Sequence, residues 1–445
     1  MKRLAFLLAA PLLSSPLWAA DLLQVYRDAR ENDAAYAAAR SVLEAGQERI
    51  PQARAGLLPT LSGSANTVWN ENDLYLRNGS LPQNLKNQSF NSNGYSLVLS
   101  QPLFRWQNWV AYDQSKFQVA QAEANFVQAG QDLILRVAQA YFDILYATEN
   151  LKAVRSNKAS IEQQRELAKK SFEVGTATIV DTHESQARYD LAVAQEIAAE
   201  NELEVKQRAL QAILGKEAPP LAPIRPNAEI TPPQPADIKQ WASAAEKDNI
   251  NVQVQMATVE IASREVERQR AGHYPTVDLV ANLGKSTAFA STVGGQLETD
   301  FQNVGIQLNL PIFQGGLVNS RTNEASANRA AAESTLEQTK RNAALQARQH
   351  YLGAVNGLAQ VKALKAALIS SQSSLESNRL GFEVGVRINI DVLNADNQVF
   401  LTRRDLARAV LDTLLSHFRL KAAVGTLSED DILAANALLD SAATR

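Results

Sequence analysis

The sequence predicts a mostly α-helical chain that also carries a membrane β-barrel component, arranged as two tandem repeats, each giving a β-hairpin and long coiled-coil helices. Three observations lead there. FEVGTATIVD at Phe172–Asp181 returns as FEVGVRINID at Phe382–Asp391. Two stretches in each half alternate apolar and polar residues beside prolines, as half-buried strands do. Between them run long proline-free segments rich in Ala, Gln, Glu and Arg.

Residues 1–20, MKRLAFLLAAPLLSSPLWAA, have a basic start at Lys2 and Arg3, an apolar run and small residues before Asp21, the pattern of a secretory signal peptide. Trp18 fits poorly at the third place before that cut, so the start at Asp21 is good to one or two residues. Without Lys2 and Arg3 the chain keeps 42 basic and 47 acidic residues, a net charge of −5, with no basic block. Nucleic acid is therefore not an expected partner. Cysteine is absent, which excludes disulfides, thiolate metal sites and an acylated N-terminal cysteine. After the signal no run of about 18 apolar residues remains, so any membrane crossing must use strands.

The first repeat is placed at residues 21–217 and the second at 238–427. RAGLLPTL (Arg54–Leu61) returns as RAGHYPTV (Arg270–Val277), LVLSQPLF (Leu97–Phe104) as IQLNLPIF (Ile306–Phe313), and AILG (Ala212–Gly215) as AAVG (Ala422–Gly425). The Pro-rich segment 218–237 reads as a stiff extended linker, and 428–445 as a helical C-terminal tail. Strands are expected at about 59–76 and 90–104, then at about 275–290 and 301–313, with hairpin tips at Asn78–Ser80 and Val293–Gly295. Val304, Ile306, Leu308, Leu310 and Ile312 form one oily face; Leu97, Leu99 and Leu103 do the same in the first half. Trp69, Tyr95, Phe104, Trp106, Trp109, Tyr274 and Phe313 gather at strand ends like an interfacial aromatic belt.

Val137, Tyr141, Ile144, Thr148 and Leu151 follow the 4, 3, 4, 3 spacing of helices packed lengthwise. Each long helix then has to turn back. Gly175 and Gly385 sit where a left-handed residue closes a helix, and Asp181 and Asp391 fall in the first turn of the next one, facing its positive end. The expected helical-hairpin turns are 172–181 and 382–391. Four strands cannot close a transmembrane barrel, for which roughly eight is the minimum. On spacing alone, twelve strands from three chains or eight from two remain open.

The LLQVYRDAREND opening, RAGLLPTL and RAGHYPTVDL, LPIFQGGLVNS (Leu310–Ser320), SSQSSLES (Ser370–Ser377) and GFEVGVRINIDVLNA resemble the TolC family over the whole mature chain. That resemblance implies a homotrimer with a 12-stranded β-barrel in outer-membrane lipid, continued by a 12-helix α-barrel across the periplasm. It also implies a periplasmic adaptor and an inner-membrane transporter of ABC, RND or MFS type as partners; no enzymatic activity and no cofactor are expected from the residue inventory below. The expected function is an outer-membrane channel-tunnel for efflux or type I secretion, with a gate at its helical tips. Carried over position by position, the gate arginine is Arg387, its partner Asp181, and the first axial aspartate Asp391. Three positions depart: Phe382 replaces a tyrosine, Val180 a hydroxyl residue, and Asn394 a second axial aspartate. Glu184 and Arg188, at i, i+4, read as a solvated helix pair.

No GxxxxGK[ST] motif occurs, and His183, His273, His350 and His417 lack metal-ligand spacing. A secreted enzyme would need a clustered acid, base or nucleophile, which the sequence does not show. The alternative, a periplasmic coiled-coil scaffold without a channel, accounts for the helices but not for the alternating strands.

Overall fold

The computed structural model describes residues 19–73, 78–79, 87–225, 228–290 and 295–440. The signal peptide, both hairpin tips in part and the end of the C-terminal tail lie outside the described residues. In chain order the elements are α1 (Leu22–Asn32), α2 (Ala34–Gln47), α3 (Arg49–Ala55), β1 (Thr60–Asp73), β2 (Asn87–Phe104), α4 (Trp106–Glu173), α5 (Ile179–Leu214), α6 (Ile238–Asp248), α7 (Ile250–Arg270), β3 (Thr276–Ala290), β4 (Gly295–Asn309), α8 (Leu317–Glu383), α9 (Asn389–Ala423) and α10 (Glu429–Asn436). Helices α4 and α8 have 68 and 67 residues, each about 100 Å of helix at roughly 1.5 Å per residue.

The chain divides into two compact units. One holds the residues up to Arg40, Phe126–Val252 and everything from Lys340 on. Its core joins α1, the middle of α4, the end of α5, α9 and α10 through Leu22, Val25, Leu133, Tyr141, Leu214, Phe418 and Ile432. Val137, Tyr141, Ile144 and Leu151, predicted as a packing seam, are all buried. The Tyr141 hydroxyl donates to the carbonyls of Ala222 at 2.8 Å and Ala20 at 3.2 Å. Burial pushes that phenol up from its ordinary value. It thereby ties the Pro-rich segment, which bridges to Ala20 at Leu221 and to Leu439 at Ile224, into the core. The tail is likewise part of this unit: Asn436 accepts from the Leu22 backbone N–H at 3.0 Å and donates to Asp21 at 2.7 Å.

The joint between α1 and α2 is made twice. Asp33 accepts the Tyr36 backbone N–H at 2.7 Å, and its repeat counterpart Asn249, between α6 and α7, accepts those of Asn251 and Val252 at 2.9 and 3.3 Å. Each is a helix N-cap. The α2–α3 break has no counterpart in the continuous α7, because Pro51 cannot donate to the carbonyl of Gln47 and its ring would strike it.

The second unit, Ser41–Asn125 with Gln253–Thr339, contains an antiparallel sheet in the order β1-β2-β3-β4. Its register brings the two halves into phase: Leu61 faces Leu99, Leu99 faces Ala281, and Ala281 faces Val304. One face therefore carries Leu61, Leu97, Leu99, Val277, Leu279, Leu283, Val304, Ile306 and Leu308. The other carries Ser62, Ser64, Ser96, Asn282, Asn303 and Gln307. The apolar face is open: Val304, Ile306 and Leu308 are 76%, 70% and 64% exposed. β1 and β4 are both edge strands.

Boundaries differ from the periodicity reading in two informative ways. β4 runs from Gly295 to Asn309 rather than 301–313, because its partner β3 begins at Thr276, opposite Asn309, and Pro311 has no N–H to extend the ladder. Leu310 and Ile312 thus lie past the strand. Leu103 does not continue the phase of Leu97 and Leu99: the register shifts after Pro102, so that Phe104 faces Val277. A proline in an interior strand is accommodated at such a bulge.

Candidate functional site

The two helical turns close in the same way. Beyond α4, Gly175 takes φ +79°, its N–H donates to the Phe172 carbonyl at 3.0 Å, and the Thr176 N–H reaches back to Ser171 at 2.8 Å. Beyond α8, Gly385 takes φ +80°, its N–H donates to Phe382 at 3.0 Å, and Val386 reaches Gly381 at 2.9 Å. Both are Schellman motifs, in which glycine supplies the left-handed residue.

The helices that follow start differently. Thr178 and Asp181 form a capping box at the head of α5: the Asp181 N–H donates to the Thr178 hydroxyl at 3.3 Å, and the Thr178 N–H to Asp181 Oδ2 at 2.9 Å. The counterpart of Thr178 is Ile388, which has no side-chain cap to offer. The Asp391 N–H donates instead to the Ile388 carbonyl at 3.0 Å, and Arg387 Nη1 stands 3.7 Å from Asp391 Oδ2. Arg387 is half exposed there, with 59% of its side chain open. Within one chain the pairs among the described residues are thus Arg387–Asp391 and Thr178–Asp181. Arg387 and Asp181 are not joined.

Phe382 packs beside Leu375, Val392 and Val399. Asn394 accepts from Arg188 Nη2 at 3.1 Å, while the same guanidinium lies 3.3 Å from Glu184. Arg188 is therefore more than a solvated partner of Glu184; it ties the first-half helix to the second-half one. Arg379 makes a parallel link, to Asp396 and Ser160 at 3.3 and 3.5 Å. A groove of about 460 Å³ follows between α4, α5 and α9, lined by Asn157, Ile161, Arg188, Ala192, Leu393 and Phe400.

The turns themselves are apolar. Val174, Val180, Val384, Val386 and Ile388 are all more than 60% exposed, an unusual composition for loops left in water. The aromatic side chains singled out from the sequence are exposed as well. Trp69 and Tyr95 lie on the apolar face of the sheet, and Phe104, Trp106, Trp109, Tyr274 and Phe313 lie at or beyond the strand ends next to the helices. Among the described residues no cluster of His, Asp or Glu is placed to hold a metal ion.

Comparisons with known proteins agree with one another. The outer membrane efflux protein family matches residues 25–216 and 241–426, one match per repeat. The chain is 32% identical to the outer membrane protein TolC of Vibrio cholerae, over 96% of this chain and 95% of that one. It is also 32% identical to the alkaline protease secretion protein AprF of Pseudomonas aeruginosa, over 96% and 88%. In fold it resembles the CmeC outer membrane channel of Campylobacter jejuni, with a TM-score of 0.78 at 18% identity over 94% and 90% of the two chains. With both repeats matched and these relatives covered nearly end to end, the chain belongs to the outer membrane efflux protein family.

Proposed function

We propose that this protein, an exit duct of the Gram-negative outer membrane serving efflux or type I secretion, works as a homotrimer whose sheets share one barrel and whose helical turns gate the periplasmic entrance. One observation carries the reading: a four-stranded sheet with two unpaired edges also exposes an apolar face. In lipid each open edge group would cost several kcal/mol, so the edges must meet other strands, and three copies supply twelve. The polar face then lines the lumen, and outer-membrane lipid covers Val304, Ile306 and Leu308.

The duct is passive, and its energy comes from an inner-membrane transporter joined through a periplasmic adaptor. The exposed valines of the two turns supply the apolar surface such a partner would cover. At the entrance Arg387 and Asp391 act as the closing elements. Threefold symmetry would set three Asp391 carboxylates around the axis, repelling by about 3 kcal/mol per pair at roughly 6 Å and an effective dielectric near 20. Such a ring favours cations.

Chemical crosslinking of protein extracted from outer membranes tests the stoichiometry. Three linked chains are expected, and a ladder ending at two overturns it. The scaffold alternative predicts that alkaline washing strips the protein from membranes, whereas a barrel stays.

A further inference from the structure

The internal repeat also fixes how one copy meets the next. β1 and β3 are repeat counterparts, as are β2 and β4, so the β2–β3 ladder inside the chain is a template for a ladder between the free β4 edge and the free β1 edge of another copy. In that template Tyr95 faces Lys285, Leu97 faces Leu283, Leu99 faces Ala281, Gln101 faces Leu279 and Pro102 faces Asp278. Resting on the shared-barrel reading above, we propose a specific register for the seam. Val304 lies opposite Trp69 of the next copy, Ile306 opposite Thr67, Leu308 opposite Ala65, Leu310 opposite Gly63, and Pro311 opposite Ser62.

The transfer could have failed and does not. A slip of one residue would set every apolar side chain of one strand beside the polar face of the other. Instead Val304, Ile306 and Leu308 meet Trp69, Thr67 and Ala65, which lie in phase with Leu61 on the apolar face of β1. On the opposite face Asn303 meets Asn70, Gln307 meets Asn66, and Asn309 meets Ser64. Polar pairs of this kind already bridge strands inside the chain, Asn282 to Asn303 at 2.9 Å and Ser64 to Ser96 at 2.9 Å. Trp69, 78% exposed in one chain, gains Val304 as a cross-strand neighbour, an aromatic paired with a β-branched residue. Pro311, which ends β4 within the chain, takes the place that Pro102 holds at the β2 bulge.

The absence of cysteine gives a clean background for the test. Directly opposed residues have Cα atoms roughly 4.5–5.5 Å apart, within disulfide range, whereas diagonal neighbours at about 7–8 Å fall outside it. The double variant Ile306→Cys/Thr67→Cys should oxidise to disulfide-linked species of up to three chains on a non-reducing gel, and Leu308→Cys/Ala65→Cys should do the same at a second level. Ile306→Cys with Trp69→Cys or with Ala65→Cys, displaced by two residues, should link at least tenfold less. Linking by a displaced pair in place of the assigned ones, or by no pair in an oligomer of unchanged size, overturns the register and leaves the shared barrel standing. A protein that links through no pair and sediments as a single chain overturns the shared barrel itself.

Discussion

Arg136 holds Asp33 with two hydrogen bonds, Nη1 to Oδ2 at 2.9 Å and Nη2 to Oδ1 at 3.0 Å. Asp33 also caps α2, and only 5% of its side chain is exposed. The second repeat puts neutral Asn249 at this place and satisfies it with the Ala423 carbonyl at 2.8 Å. One joint is therefore charged and its twin is not.

The charged joint should make the first repeat sensitive to acid. Hydrogen bonding from Arg136 holds the Asp33 carboxyl below the usual carboxylate range, and burial opposes it only in part. A folded pKa below the unfolded value of about 3.9 contributes stability that is complete above that value and is lost as pH falls through the folded one. Asp33→Asn should lower stability near neutrality by about 1–3 kcal/mol. It should also flatten the loss below about pH 4, because the proton-linked contribution is gone. Thermal unfolding of the two proteins between acid and neutral pH reads both effects, and parallel curves would show that Asp33 does not carry the linkage.

Gly215 and Gly425 end α5 and α9 with φ of +66° and +77°. Alanine at either place costs about 1–2 kcal/mol for the left-handed backbone. At Gly215 the added methyl would meet Asn32 at 3.8 Å, ordinary contact, whereas at Gly425 it would run into the Asp248 carbonyl. Gly425→Ala should therefore be the more damaging by a further 1 kcal/mol or about that, measured as the difference in denaturation midpoint. Equal losses would mean that the joint beside Gly425 relaxes freely.

Arg387 is the charged side chain that the second turn has and the first lacks, Ala177 standing in its place. Arg387→Ser should raise single-channel conductance in a planar bilayer by weakening the closed state, an effect of about 1–3 kcal/mol. Unchanged conductance in an assembled oligomer would remove Arg387 from the gate.

A trivalent cation added on the periplasmic side should block the channel through Asp391. Since Asn394 offers no second carboxylate and is held by Arg188, Asp391→Ala alone should abolish the block. Arg387 stands 3.7 Å from Asp391, whereas Asp181 accepts the Thr178 N–H and hydroxyl at 2.9 and 2.7 Å and Glu184 lies 3.3 Å from Arg188, so Asp181→Ala with Glu184→Ala should leave the block in place. Loss of block only in that double variant would move the ring to the first-half helix.

Much of this was legible in the sequence because the chain says most things twice. The strand faces, the glycine stops and the long helices each appear as an aligned pair, and coincidence in two places is stronger than periodicity in one. What stayed hidden depends on pairing across the repeat. The phase break at Leu103 needed the register against Val277, and the end of β4 needed the start of β3. Arg188 looked like an intrahelical partner of Glu184 because i, i+4 spacing is visible in sequence, whereas its reach to Asn394 depends on how α5 and α9 lie. From spacing alone Asp181 and Asp391 are alike as first-turn carboxylates, and only the resemblance set them apart. It took the contrast between Thr178 and Ile388 to separate a capped side chain from one that Arg387 approaches.

The order of the strands also dictates a timetable. Helical hairpins close through neighbouring residues and can form as the chain emerges, but β2 ends at Phe104 while its partner β3 begins at Thr276. The first β-hairpin must wait, its oily face uncovered, until the whole of α4 through α7 has been made and translocated. Contacts so distant in sequence form slowly, and exposed edges invite wrong partners meanwhile. The interval between the two repeats is therefore the stage at which the free edge of β2 is open longest to a wrong strand.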